Sequence, residues 1–98
     1  MPEVHFTVRW PDGEQERCYS PSTVIKEFLE AGQTYPLDAF LDRARGGLNR
    51  ASARVEERYG FACSSAMAQL QRIEAQAKRF EGAEGAEVAL IAIGEGAQ

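Results

Sequence analysis

Cysteine and histidine are scarce in this 98-residue chain, which has only Cys18, Cys63 and His5. Two thiols cannot staple a disulfide scaffold, and three such widely spaced residues form no zinc pattern. No metal and no cofactor is therefore expected. No apolar run approaches the ~20 residues that span a bilayer, so no membrane segment is expected either. The opening MPEVHFTV lacks a basic flank followed by an apolar core. That argues against a signal peptide and for the cytoplasm, where both cysteines are expected as reduced, buried thiols. Basic residues are not in excess: 11 Lys and Arg stand against 15 Asp and Glu, a net charge of −4. Broad contact with a phosphate backbone needs the opposite balance, so nucleic acid is an unlikely partner. A glycine-rich phosphate loop is also missing, because Gly46-Gly47 has no Lys after it and does not follow a strand.

What is present is periodicity, enough for one domain spanning residues 1–98 with a loose tail at 94–98. Val4, Phe6, Val8 and Trp10 alternate with His5, Thr7 and Arg9, the period of two of a half-buried strand. Pro11-Asp12-Gly13 then signals a turn, and Glu14–Tyr19 returns as a charged edge strand. Ser20-Pro21-Ser22-Thr23 opens a short helix with Val24, Ile25, Phe28 and Leu29 on its apolar face, closed by Gly32.

Two longer helices follow, Pro36–Tyr59 and Cys63–Phe80, hinged at Gly60-Phe61. The first carries a stripe of Leu37, Leu41, Ala44, Leu48, Ala51 and Val55, the second one of Cys63, Met67, Leu70, Ile73, Ala77 and Phe80. So short a hinge makes them antiparallel neighbours. Gly46-Gly47 should cost about 1 kcal/mol per glycine relative to Ala. Either a bulky side chain packs closely there or the helix kinks; the unbroken phase of the stripe favours a continuous helix. The last strand, Glu87–Ile93, is apolar on both faces, so it is central in its sheet or covered on its second face.

The order is then β-β-α-α-α-β, an α+β domain with a three-stranded sheet and an antiparallel helical hairpin on one face. If the last strand pairs with the first, His5, Thr7, Arg9, Ala89, Ile91 and Ile93 share an uncovered sheet face. A symmetric homodimer is the expected way to cover it.

Certain segments are distinctive: Pro2-Glu3, Arg9-Trp10-Pro11-Asp12-Gly13, Cys18-Tyr19-Ser20-Pro21-Ser22 and Arg58-Tyr59-Gly60-Phe61-Ala62-Cys63-Ser64. In these the chain resembles a family of small bacterial nitrogen-starvation response proteins. The resemblance implies a gene neighbourhood with a nitrilase-type hydrolase and a partner from a nitrogen-related pathway. It carries no catalytic residues and no assigned biochemical activity.

Chemistry-bearing candidates are few. Cys63 falls at a helix start, where free N–H groups favour a thiolate, so a small thiol enzyme or redox sensor is one reading. A small apolar residue beginning the helix stripe is the other. His5, the only histidine, is expected on the far sheet face, which leaves Cys63 without an obvious base. A Cys18–Cys63 disulfide would be a redox register. Arg43, Arg50 and Arg54 share one narrow sector of the long helix and could contact an anion or nucleic acid, although a charge stripe is more often just a solvated face. The leading expectation is a non-catalytic accessory or interaction protein.

Overall fold

A computed structural model describes residues 3–61 and 64–95. The elements run β1 (Val4–Arg9), β2 (Gln15–Ser20), a 3-10 segment (Thr23–Glu27), β3 (Thr34–Pro36), α1 (Leu37–Tyr59), α2 (Ser64–Lys78) and β4 (Glu87–Glu95). The fold is α+β, but two parts of the expected architecture are corrected. The sheet has four antiparallel strands in the order β2-β1-β4-β3, not three, and there are two α-helices, not three.

The extra strand is the segment read as a connector. Thr34, Tyr35 and Pro36 pair with Ala89, Val88 and Glu87. The Gly32 and Leu90 N–H groups extend the ladder, donating to the carbonyls of Leu90 and Gln33 at 2.8 Å. β4 is thereby flanked on both sides, which suits a strand apolar at nearly every position. Pro36 ends β3 and stands as N-cap of α1 instead of opening it.

The expected first helix shrinks to five residues. Thr23, Val24 and Ile25 are β-branched and resist helical packing, and Ser22 Oγ accepts from the Val24 N–H at the start. The segment ends at Phe28 because it is pressed against α1. α1 is one uninterrupted helix of 23 residues. At Gly46-Gly47 the 3-10 segment lies directly on its backbone. A Cβ built on Gly46 would sit 2.9 Å from Phe28 Cε2, and one built on Gly47 would collide with Cδ1 of Ile25. Close packing, not a kink, is why both positions are glycine.

α1 and α2 run back along each other. Arg45, midway along α1, meets Glu74 at 2.7 Å, and Leu41 faces the same cleft as Lys78. Gly60 closes α1 with φ of 84°, its N–H donating to the Glu56 carbonyl.

The core lies between one sheet face and the helices. Val4, Phe6 and Val8 of β1, Cys18 of β2 and Val88 and Leu90 of β4 meet Phe40, Ala44, Leu48, Leu70 and Ile73. Trp10, 1% exposed, closes one end. Its ring meets Phe40 edge-on at 5.6 Å and stacks on Phe80 at 6.2 Å, and its Nε1–H donates to Glu16 Oε1 at 2.9 Å. An amphipathic indole is buried at no polar cost when its N–H finds such a partner.

Candidate functional site

No helix among the described residues is long and apolar enough to cross a membrane, and no group of three or more His, Cys, Asp and Glu among them could hold a metal ion. The side of the sheet away from the helices is where the expected interaction residues must be sought.

On β1 the alternation holds. Val4, Phe6 and Val8 are buried, while His5 and Thr7 are half-buried and Arg9 is exposed. β2 adds residues that the strand reading left out. Tyr19 lies opposite His5, Arg17 opposite Thr7 and Gln15 opposite Arg9. The rings of His5 and Tyr19 are 5.9 Å apart, and His5 Nε2 is 3.3 Å from a Glu3 carboxylate oxygen.

β4 behaves differently from its sequence pattern. Val8 pairs with Leu90 but Thr7 pairs with Ala92, so Ile91 has no residue opposite. This is a β-bulge, and it breaks the period of two. Leu90 points inward and is buried, while Ile91 and Ala92 are both exposed. Ile93 then returns opposite Phe6 and packs against the core cluster. Of the six residues expected together, His5, Thr7, Arg9, Ala89 and Ile91 are on the outer side. Ile93 is on the inner one, and Ala92, opposite Thr7, stands where it was expected. Ile91, 39% exposed, is the largest apolar group on this side. No signal in the sequence marks the bulge, because Ala89-Leu90-Ile91-Ala92-Ile93 offers an apolar residue at every step.

Along β1, β2 and the bulge the outer face is composed of His, Thr, Tyr, Arg, Gln, Ala and one Ile, and the exposed Glu87 at the start of β4 lines one groove with Arg9 and Ala89. Among the described residues no acid pairs with Arg9. Charge is distributed by position: Glu3 stands at one end of the central strand β1 and Arg9 at the other.

The expected arginine face of α1 separates. Arg43 Nη1–H donates to the Phe28 carbonyl at 3.0 Å, and its guanidinium lies over the Tyr35 ring at 5.1 Å. It ties the loop before β3 to α1. Arg50 and Arg54 remain exposed. Cys18 is a free, buried thiol opposite Phe6. Burial pushes its pKa up, Glu16 adds to that, and Arg72 opposes it. Such a thiol is a poor nucleophile and a poor partner for disulfide exchange. Cys63, and with it the thiol-enzyme, redox-sensor and disulfide readings, lies outside the described residues.

A family model described as nitrogen starvation-induced protein NitG matches residues 5–93. The chain belongs to this family. The match takes in β2, the 3-10 segment, β3, α1 and α2 whole and most of β1 and β4. No curated protein and no solved structure matches the chain. The family description speaks of the condition under which its members are induced and names no reaction.

Proposed function

We propose that this NitG-family chain is a non-catalytic interaction module of the nitrogen-limitation response, acting in the cytoplasm as a homodimer joined through the outer face of its sheet. The observation that carries this reading is the make-up of that face. Tyr19, Arg9, Arg17 and His5 share that side of the sheet with Ile91, and Tyr and Arg are among the residue types that dominate the energetics of protein interfaces. The bulge supports it, since it turns two consecutive β4 residues outward at the centre of the face.

A second copy fits the charge pattern better than an unrelated surface does. Two sheets laid face to face about a two-fold axis across β1 bring Glu3 of each protomer over Arg9 of the other. An isologous contact then satisfies both ends at once. Ile91 would meet its symmetry mate's neighbourhood near the middle, as an apolar centre within a polar rim.

Sedimentation equilibrium tests this. The expected result is a dimer at micromolar concentration that becomes monomeric in Ile91→Glu and in Arg9→Glu, with helical content unchanged in both. Restoration of the dimer when Arg9→Glu is combined with Glu3→Arg would identify the paired charges. A wild-type monomer at high micromolar concentration overturns the proposal.

A further inference from the structure

Between β2 and the first half of α2 lies an open groove of about 290 Å³, lined by Tyr19, Ser65, Ala68, Gln69 and Arg72. It opens along the β2 edge and shares Tyr19 with the outer sheet face, its other lining residues all lying on α2. Its chemistry is set by Gln69, which is only 6% exposed although it is a polar residue. The side-chain Oε1 accepts from the backbone N–H of Tyr19 at 3.0 Å. This bond fixes the amide plane and caps an outward N–H of the edge strand β2. It leaves the other end of the same amide in difficulty: Nε2 is buried with no hydrogen-bond partner among the described residues. A buried donor without an acceptor costs about 1–3 kcal/mol. Orphans of this kind are rare in native proteins and call for a physical reason.

The surroundings of that donor are one-sided. Arg72 is exposed, and among the described residues neither a hydrogen bond nor an ion pair engages its guanidinium. It lines the groove together with Tyr19 of β2. Ser65 adds a hydroxyl from the first turn of a 15-residue helix, a turn that contains no acid. The positive end of the helix dipole favours an anion there. Among the described residues no carboxylate lines the groove.

We infer that this groove is a binding site for a compact oxyanion, the carboxylate or phosphate group of a small ligand, held by Arg72, Ser65 and the unpaired Nε2 of Gln69. The anion pairs with the guanidinium and the Ser65 hydroxyl, and a ligand oxygen accepts from Nε2. The helix start alone does not make the site. The fixed amide in its lining does, since it offers a donor that nothing among the described residues uses.

The Gln69 side-chain amide reports directly on this contact in isotope-labelled protein. Sodium phosphate and sodium acetate are titrated separately against chloride at constant ionic strength. A saturable shift of the Gln69 Nε2 signals is expected with at least one of them. Response to phosphate alone assigns a phosphoryl ligand, response to acetate alone a carboxylate, and response to both the shared oxyanion head. No response to either at millimolar concentrations overturns the inference.

Two variants complete the test. Arg72 is exposed, so Arg72→Ala keeps the fold and should weaken binding by about tenfold or more, the scale of a hydrogen bond to a charged group. Gln69→Glu keeps an oxygen for the Tyr19 N–H but replaces the donor with an acceptor, and the rise of the unfolding midpoint with added anion should vanish. An undiminished response in Arg72→Ala overturns the inference. Repeating the titration in Ile91→Glu, the variant expected to be monomeric, reads anion binding apart from dimerisation.

Discussion

Replacing Gly47 with Ala should destabilise the protein, while the same change one residue earlier should not. Neither glycine has a positive φ, so both substitutions recover helix propensity, about 1 kcal/mol each. They differ in what the new methyl meets. At Gly47 it collides with Cδ1 of Ile25 and comes 3.3 Å from Phe28 Cβ. Ile25 is wholly buried, so its side chain has nowhere to rotate, and forcing a methyl into a filled core costs about 1–3 kcal/mol. The net loss is about 1 kcal/mol, or a fall of about 4–8 °C in Tm for a domain of this size. At Gly46 the contact is with the ring edge of Phe28, 2.9 Å away. That ring is only half-buried and can tilt outward, so Gly46→Ala should be neutral or stabilising by up to about 1 kcal/mol. Ile25→Val supplies the control because it deletes the clashing carbon. Alone it should cost about 0.5–1.5 kcal/mol, but it should make Gly47→Ala less costly, a favourable coupling in a double-mutant cycle. Urea unfolding of wild type, the three single variants and the double variant measures all terms. Gly47→Ala as stable as wild type, or no relief in the Ile25→Val background, refutes the close-packing explanation for the glycine pair.

Two further outcomes follow from buried polar groups. The Cys18 thiol has an ordinary pKa of 9.0 that burial raises in the folded protein. The unfolded chain therefore loses this proton first, and the contribution of Cys18 to stability is full below pH 9 and lost as pH rises beyond it. The slope is about 1.4 kcal/mol per pH unit, so the stability gap between wild type and Cys18→Ala should narrow above pH 9. A gap that stays constant to pH 10.5 or so would contradict the assigned burial. For Trp10, Glu16→Gln preserves an acceptor for the indole N–H and should cost under about 1 kcal/mol, whereas Trp10→Phe loses both the bond and core volume and should cost about 2 or more. Equal losses in thermal unfolding would remove the distinction.

Much of the architecture was legible because side-chain periods encode it. β1 shows a clean alternation, α1 and α2 carry stripes that recur at three and four, and Pro11-Asp12-Gly13 marks the hairpin between β1 and β2. The missed features lack a period. A strand of three residues ending in proline, as in Thr34–Pro36, is too short to show one, and its pairing is dictated by β4, far along the chain at Glu87–Ala89. In β4 itself a one-residue slip leaves no trace, since every position on either side of Ile91 is apolar; that is why Ile93 was expected outward. The segment from Thr23 to Phe28 has a helical apolar pattern, but the pressure of α1 and the β-branched residues shorten it. On the functional side, residue type pointed to His5, Arg9 and Ile91. Tyr19 and Arg17 joined them only through cross-strand register, and the orphaned amide of Gln69 depends on a contact 50 positions apart in the chain.

The position of β4 in the sheet has a consequence for how the chain comes together. It joins the β1–β2 hairpin to β3, yet it emerges from the ribosome after every other strand and helix described. Until it arrives, β1 must wait with one flank unzipped and Thr34–Pro36 has nothing to align against. The nascent chain can assemble its helices early, but completion of the sheet is deferred to the final insertion of a single segment. A premature stop before Glu87 would therefore release a hairpin and a helical pair with no means of closing around a common interior.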